Sequence, residues 1–368
     1  MADSRRWRGP LGRAPGRTRD PDARQDASGG LPGTLRRAAR SRAVRVATAL
    51  VVLGAAGFGW WLEAPGGVSY PRGGYGLATG SNGGVYQRYG ALLRPTVERD
   101  LPGVTLRLDP TAGGPDNLSR ISEGKDAFGI ATADAVAHFH GPGATRLRSL
   151  GRLYDDYVQL IVPSDSSITS VADLRGKRVG IGQQASGVAL IAERVLQVAH
   201  LSAAEGDLTT LPLGIDVAPK QLAEGKIDAF FWSGGLPTGG VSALTAESHV
   251  RLVQLGGLAT QMDALAAKED KGAQNTQIYR TSTVPASAYP DTVPDTAVST
   301  LAVANLMVTR DDVPTGLVER VTAAIIDSRD TIGQKVHSAQ LVDIRSAIYT
   351  DPLPLAEGAR RYYRSVKP

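Results

Sequence analysis

The sequence predicts an α/β protein of two similar lobes behind a single membrane-spanning segment. Three observations carry this reading. An order of strand, Gly-rich loop and helix occurs twice, about a hundred residues apart. An uncharged run near the N-terminus follows an Arg-rich leader. The 368 residues, 42% hydrophobic and 21% charged with 43 Gly and 22 Pro, have a globular balance rich in turns.

The leader comes first. Residues 1–45 hold twelve Arg and four Asp, a net +8 against a formal +5 for the whole chain, so everything after them sums to −3. The positive charge lies on a Pro/Gly/Asp-rich tail and not on a folded face, which argues against nucleic acid as a partner. Residues 46–62 (VATALVVLGAAGFGWWL) carry no charge and end in Trp60-Trp61, an aromatic pair of the kind found at membrane interfaces. The expected organisation is a disordered cytoplasmic tail over 1–42, a transmembrane anchor over 43–62 and a linker over 63–74. The positive-inside rule then puts the lobes outside the cell membrane. A buried core helix would not follow a twelve-Arg leader, and Leu62-Glu63-Ala64 followed by Pro65 is a poor cleavage site.

Strand 75–78, loop 79–84 (TGSNGG) and a helix marked by Val85, Tyr89, Leu92, Leu93 and Val97 open the first unit, with Pro95 expected to kink the helix. An alternating strand (Val104, Leu106, Leu108), a helix begun at Pro115 and stopped at Gly124, and a buried strand 127–131 complete it. The order returns as strand 178–181, loop 182–187 (GQQASG), helix 188–198, strand 208–211, helix 217–224 and strand 227–231. The two units end alike, ISEGKDAFGI at 121–130 and LAEGKIDAFF at 222–231. The C-terminal third adds a strand over 299–308, an amphipathic helix over 314–334 and a last helix near 355–364. It lacks the Gly loop, so it is expected to complete the first lobe, giving lobe 1 as 75–157 with 256–368 and lobe 2 as 158–255. The hinge is expected near 157–162 and 250–255.

Each Gly loop leads into a helix, so backbone N–H groups and a helix dipole face whatever lies in front. Two such ends across a cleft make an anion or zwitterion site. Catalytic machinery is not visible: there is no Walker A, GxSxG or body SxxK motif. With no Cys and five His (His138, His140, His200, His249, His337) lacking an HExxH, neither a metal site nor a thiol nucleophile is expected. The run Gly180-Ile181-Gly182-Gln183-Gln184-Ala185, with Glu205 downstream, fits a dinucleotide fingerprint and leaves an NAD(P)-binding enzyme as a distant alternative.

Ser170-Val171-Ala172-Asp173-Leu174-Arg175-Gly176-Lys177-Arg178-Val179 resembles the S-x-x-D-L-x-G-K-x-V turn of extracytoplasmic solute-binding proteins. With ATGSNGGVYQRYG (78–90), PTAGGPDNL (110–118), FGIATADAVA (128–137), YVQLIVPSDSSI (157–168) and DAFFWSGGLPT (228–238), the chain over roughly 73–366 resembles the TAXI-type binding proteins of TRAP transporters. The resemblance implies a type II periplasmic-binding-protein-like fold that closes about a hinge. It implies no cofactor, and a small carboxylated solute, a glutamate-like amino acid or a dicarboxylate, delivered to a transporter membrane subunit. By position it places Ser81, Asn82, Gly83, Tyr86, Thr132, Asp134, Ser186, Gly187, Trp232, Ser233 and Gly234 at the ligand. No Arg falls inside the matched loops, and Arg152 and Arg280 remain candidates for a carboxylate clamp. Thr132-Ala133, Gly114, Val188 and Leu355 stand where the family commonly has Gln-Ser, Ser, Thr and His. A membrane-anchored ligand sensor is the alternative function.

Overall fold

The computed structural model describes residues 70 and 72–366 apart from 83, 270–276, 337–338 and 340–342, and residues 49 and 51 in the N-terminal stretch. The chain divides into 1–67 and 68–368, and the fold below is that of the second unit. The expected leader, and the anchor apart from Ala49 and Val51, lie outside the described residues. Among the described residues no helix is long and apolar enough to cross a membrane.

In the first part of the unit, β1 (Gly73–Gly80), α1 (Val85–Asp100), β2 (Val104–Pro110), α2 (Gly114–Ser122), β3 (Phe128–Thr132) and α3 (Ala133–Ala137) follow the expected order. A long strand β4 (Leu147–Pro163) leads into β5 (Arg178–Gly180), α4 (Gly187–Val198), β6 (Thr209–Leu211), α5 (Ala218–Ala223) and β7 (Ala229–Gly234). Then come α6 (Gly239–Glu247), β8 (Val250–Val253), α7 (Ala259–Glu269), β9 (Tyr279–Val284), β10 (Val298–Arg310), α8 (Thr315–Asp327), α9 (Arg329–Gly333) and α10 (Glu357–Val366).

The ten strands form one sheet in the order β2-β1-β3-β10-β4-β7-β5-β6, with β8 on β4 and β9 on β10. Two parallel triplets, β1–β3 and β5–β7, flank a central antiparallel ribbon of β4 and β10. Thr132 at the end of β3 pairs with Asn305, Ala302 pairs with Tyr157, and Tyr157 pairs with Gly234 at the end of β7. The carboxyl ends of both triplets therefore converge on the middle of the ribbon. The β4–β10 register shifts between Ala304 and Leu306, where β4 runs from Asp155 to Arg152, and again between Met307 and Val308, where it runs from Gly151 to Ser149, so β4 carries the extra residue each time. β8 pairs with the far end of β4, Val250–Val253 against Leu160–Pro163.

Burial explains the helices. On α1, Tyr89, Leu93 and Val97 fall four apart and sink into the core that β1, β2, α8 and α10 also line. The helix runs on through Pro95. Tyr363 of α10 donates to the Leu150 carbonyl at 3.0 Å, tying the C-terminal helix to β4. The single helix expected over 314–334 is instead two. Ser328 sits between α8 and α9, its hydroxyl donating to the Ala324 carbonyl at 2.5 Å, and such back-bonding bends helices.

Candidate functional site

At the converging strand ends lies a cavity of about 110 Å³. Crevices outside the carboxyl ends of strands are where open α/β sheets bind ligands, because loops and helix starts gather there.

Three helix starts face it. Val85 and Tyr86 of α1, Gly114 of α2, and Gly187 and Val188 of α4 are all lining residues. The first N–H groups of a helix have no intrahelical partner and carry its positive dipole end. On α1 no side chain caps them; on α4 the Ser186 hydroxyl oxygen accepts from Ala189 N at 3.1 Å. The loops are braced. Gly80 N donates to Thr111 Oγ1 at 2.9 Å and Thr111 N to the Gly80 carbonyl at 3.0 Å, fixing the α2 entry against β1. Gly182 has φ +89°, and a Cβ there would lie 2.7 Å from Val188 Cβ, so the turn into α4 requires glycine. Across the cavity, a Cβ on Gly113 would lie 3.7 Å from Gly187 N, so the α2 and α4 entries are in contact.

The floor is polar and incompletely paired. Thr132, Asp156 and Ser233 are 2%, 5% and 7% exposed and line the cavity, and Thr132 Oγ1, Asp156 Oδ1 and Ser233 Oγ have no hydrogen-bond partner within the protein. Buried polar atoms of this kind are costly unless something else pairs with them. Burial pushes the Asp156 carboxyl up to about 7; Asn305 beside it works the other way and the Asp134 charge adds to the rise. Tyr86 donates to Asn305 Oδ1 at 2.6 Å. Burial, with the charges of Asp156 and Asp134, raises its phenol well above the ordinary range, so it remains a donor. Trp232 forms a wall, its Nε1 donating to Thr238 Oγ1 at 2.8 Å. Besides Tyr86, the acidic side chains lining the cavity are Asp156 and the exposed Asp216, and among the described lining residues there is no Lys, Arg or His.

Of the residues expected at a ligand, the cavity gathers Ser81, Tyr86, Thr132, Ser186, Gly187, Trp232, Ser233 and Gly234. Asn82 is exposed and off the lining, and Gly83 lies outside the described residues. Asp134 is buried off the lining: Oδ1 accepts from Ala135 N at 2.8 Å and Oδ2 from the Tyr279 hydroxyl at 3.1 Å. Arg152 and Arg280 do not line the cavity; both pair with Asp155. Sequence reasoning missed Asp156, and the alternation of β4 separates it from Asp155. Glu205, the acidic residue of the dinucleotide pattern, is exposed and outside the lining. Among the described residues no three His, Asp or Glu are grouped to hold a metal ion.

The profile of the NMT1-like family matches residues 77–366. Among solved structures, the alkanesulfonate-binding protein SsuA of Xanthomonas axonopodis pv. citri, bound to MOPS, is 19% identical over 82% of this chain and 86% of its own, with a TM-score of 0.45. An ancestral arginine-binding protein bound to arginine is 14% identical over 72% and 98%, with a TM-score of 0.44. The GluR0 ligand-binding core of Nostoc punctiforme, in complex with L-glutamate, is 15% identical over 72% and 99%, with a TM-score of 0.43.

Proposed function

The chain belongs to the NMT1-like family, and on that premise we propose that it is an extracytoplasmic solute-binding protein. In this reading it captures a small carboxylated solute between two lobes, 75–157 with 256–368 and 158–255, and hands it to the membrane subunit of a TRAP-type transporter. The anchor over 43–62 holds it to the cell membrane with the Arg-rich tail inside.

One observation carries the reading: three helix N-termini and three buried, unpartnered polar side chains face the same cavity. Helix starts suit a carboxylate, and the hydroxyls of Thr132 and Ser233 can complete its hydrogen bonds. The sequence likeness to TAXI-type proteins supports the transport role.

Calorimetry of the purified full-length chain against amino acids and small carboxylates tests the capture step. A Thr132→Ala, Ser233→Ala double variant is expected to bind the best solute roughly 5- to 100-fold more weakly, as the loss of two ordinary hydrogen bonds implies. Unchanged affinity in that variant would remove the cavity from consideration as the site.

A further inference from the structure

We infer that the solute is a small zwitterion of zero net charge, whose protonated amine sits on Asp156 and whose carboxylate meets the helix starts. This rests on the solute-capture reading and narrows its ligand class, taking the amino acid over the dicarboxylate and an uncharged side chain over an acidic one.

The charge inventory of the cavity decides between the classes. Among the described residues no Lys, Arg or His lines it, so its positive potential comes from backbone N–H groups at the starts of α1, α2 and α4. Such partial charges amount to roughly half an elementary charge per helix. Against them stand Asp156, 5% exposed with Oδ1 unpartnered, the buried Asp134 facing it from off the lining, and Asp216 among the exposed lining residues. A dicarboxylate would bring two negative charges beside Asp156 with no side-chain cation to offset them. A zwitterion satisfies both ends at once: its carboxylate takes the N–H groups and its ammonium supplies the donor that Asp156 Oδ1 lacks. Arg152 and Arg280, the nearby basic candidates from the sequence, are committed to Asp155.

The rest of the lining fits the side chain of such a molecule. Val85, Val188, Ile215 and Trp232 present apolar surface. The volume of about 110 Å³ is below the ~150 Å³ of an apolar cavity known to hold benzene, which favours a small amino acid.

Recognition through Asp156 is linked to protons. The ammonium pairs with the ionised carboxylate, and the groups that face Asp156 are Asp134 after β3, Tyr86 of α1, Tyr154 of β4 and Asn305 of β10. Tyr86 and Tyr154 are held protonated by burial, so Asp156 dominates the titration near neutrality. Affinity is expected to rise as pH increases from 5.5 to 8.

The test is calorimetry on the full-length chain with matched probes: alanine, serine and valine, the 2-hydroxy acids that replace their amine by a hydroxyl, and succinate and 2-oxoglutarate. At least one amino acid is expected to bind tenfold or more tightly than its hydroxy-acid partner and than either dicarboxylate. In Asp156→Asn, checked for an intact thermal transition, that ratio is expected to collapse toward one. The wild-type comparison needs no variant, so a poorly folded Asp156→Asn does not block the test. Tighter binding of a hydroxy acid or a dicarboxylate, or an unchanged ratio in Asp156→Asn, overturns the zwitterion inference and leaves solute capture standing. Binding of no probe from any class overturns the capture reading and the inference together.

Discussion

At the scale of single residues, Asp156 has a consequence that needs no ligand. Its folded pKa of about 7 lies above the ordinary 3.8, so between those values the folded protein holds a proton that the unfolded chain has lost. Stability from this group is therefore full below the lower value, declines through the window, and leaves a cost of up to ~4 kcal/mol above the upper one. Asp156→Asn is expected to raise the melting temperature clearly at pH 8 and little at pH 4.5; an equal gain at both would mean that the carboxyl ionises normally. The residue was hard to find from sequence because Asp155-Asp156 lies just before the 157–168 motif and within none of the matched stretches. Only the discovery that 147–163 is a single central strand shows that alternation sends the first toward Arg152 and Arg280 and the second into the cavity. Asp134, by contrast, was expected at the ligand and instead braces α3 and Tyr279.

At the scale of elements, the Gly loops and helix starts were legible because glycine, proline and capping residues act locally. Ser186 shows how one side chain serves both the helix and the site. It caps α4 through Ala189 N and also lines the cavity. Ser186→Ala is expected to cost about 1 kcal/mol in chemical denaturation, the usual price of a lost N-cap. Ser186→Asp keeps a capping acceptor and is expected to hold stability near wild type while weakening carboxylate binding at least tenfold, because it adds an acid at the helix start. Equal solute affinity in both variants would confine Ser186 to the helix. The motif around Asp173 has a purely structural basis: its carboxylate accepts from the N–H and hydroxyl groups of Thr169 and Ser170, holding its pKa down at about 2 and building a capping box. β8, β9, α6 and α7 were not expected from the sequence, although Pro237 and Thr238 punctuate the start of α6 and Gly256-Gly257 that of α7. The short β8, for example, exists through its pairing with β4, a partner some ninety residues earlier that only the folded sheet reveals.

At the scale of the whole molecule, the α2 and α4 entries, which touch beside the cavity, would part and close as a solute leaves and enters under the proposed capture. In the two-lobe reading that motion is a swing about the β4–β10 ribbon. Solution scattering of the full-length chain is expected to show a smaller radius of gyration when a solute is added. Gly187→Phe, which would place a ring against Thr132 Oγ1 where a Cβ already comes within 4.0 Å, is expected to block that compaction and lower affinity tenfold or more. Compaction equal to wild type in this variant would argue against closure at these entries. The ribbon carries one more consequence, in the two register shifts between β4 and β10. β10 pairs residue for residue with β3 and with β9, whereas β4 runs from Asp155 to Arg152 against Ala304 to Leu306 and from Gly151 to Ser149 against Met307 to Val308, so the extra residues lie on β4. A residue deleted from β10 would put it out of step with β3 as well as β4, whereas loss of the extra β4 residue opposite Asn305 leaves the β3 ladder in register. The length of β10 is thus the fixed quantity and β4 absorbs the mismatch, so a deletion scan across both strands should find soluble protein lost within 304–308 before 153–154.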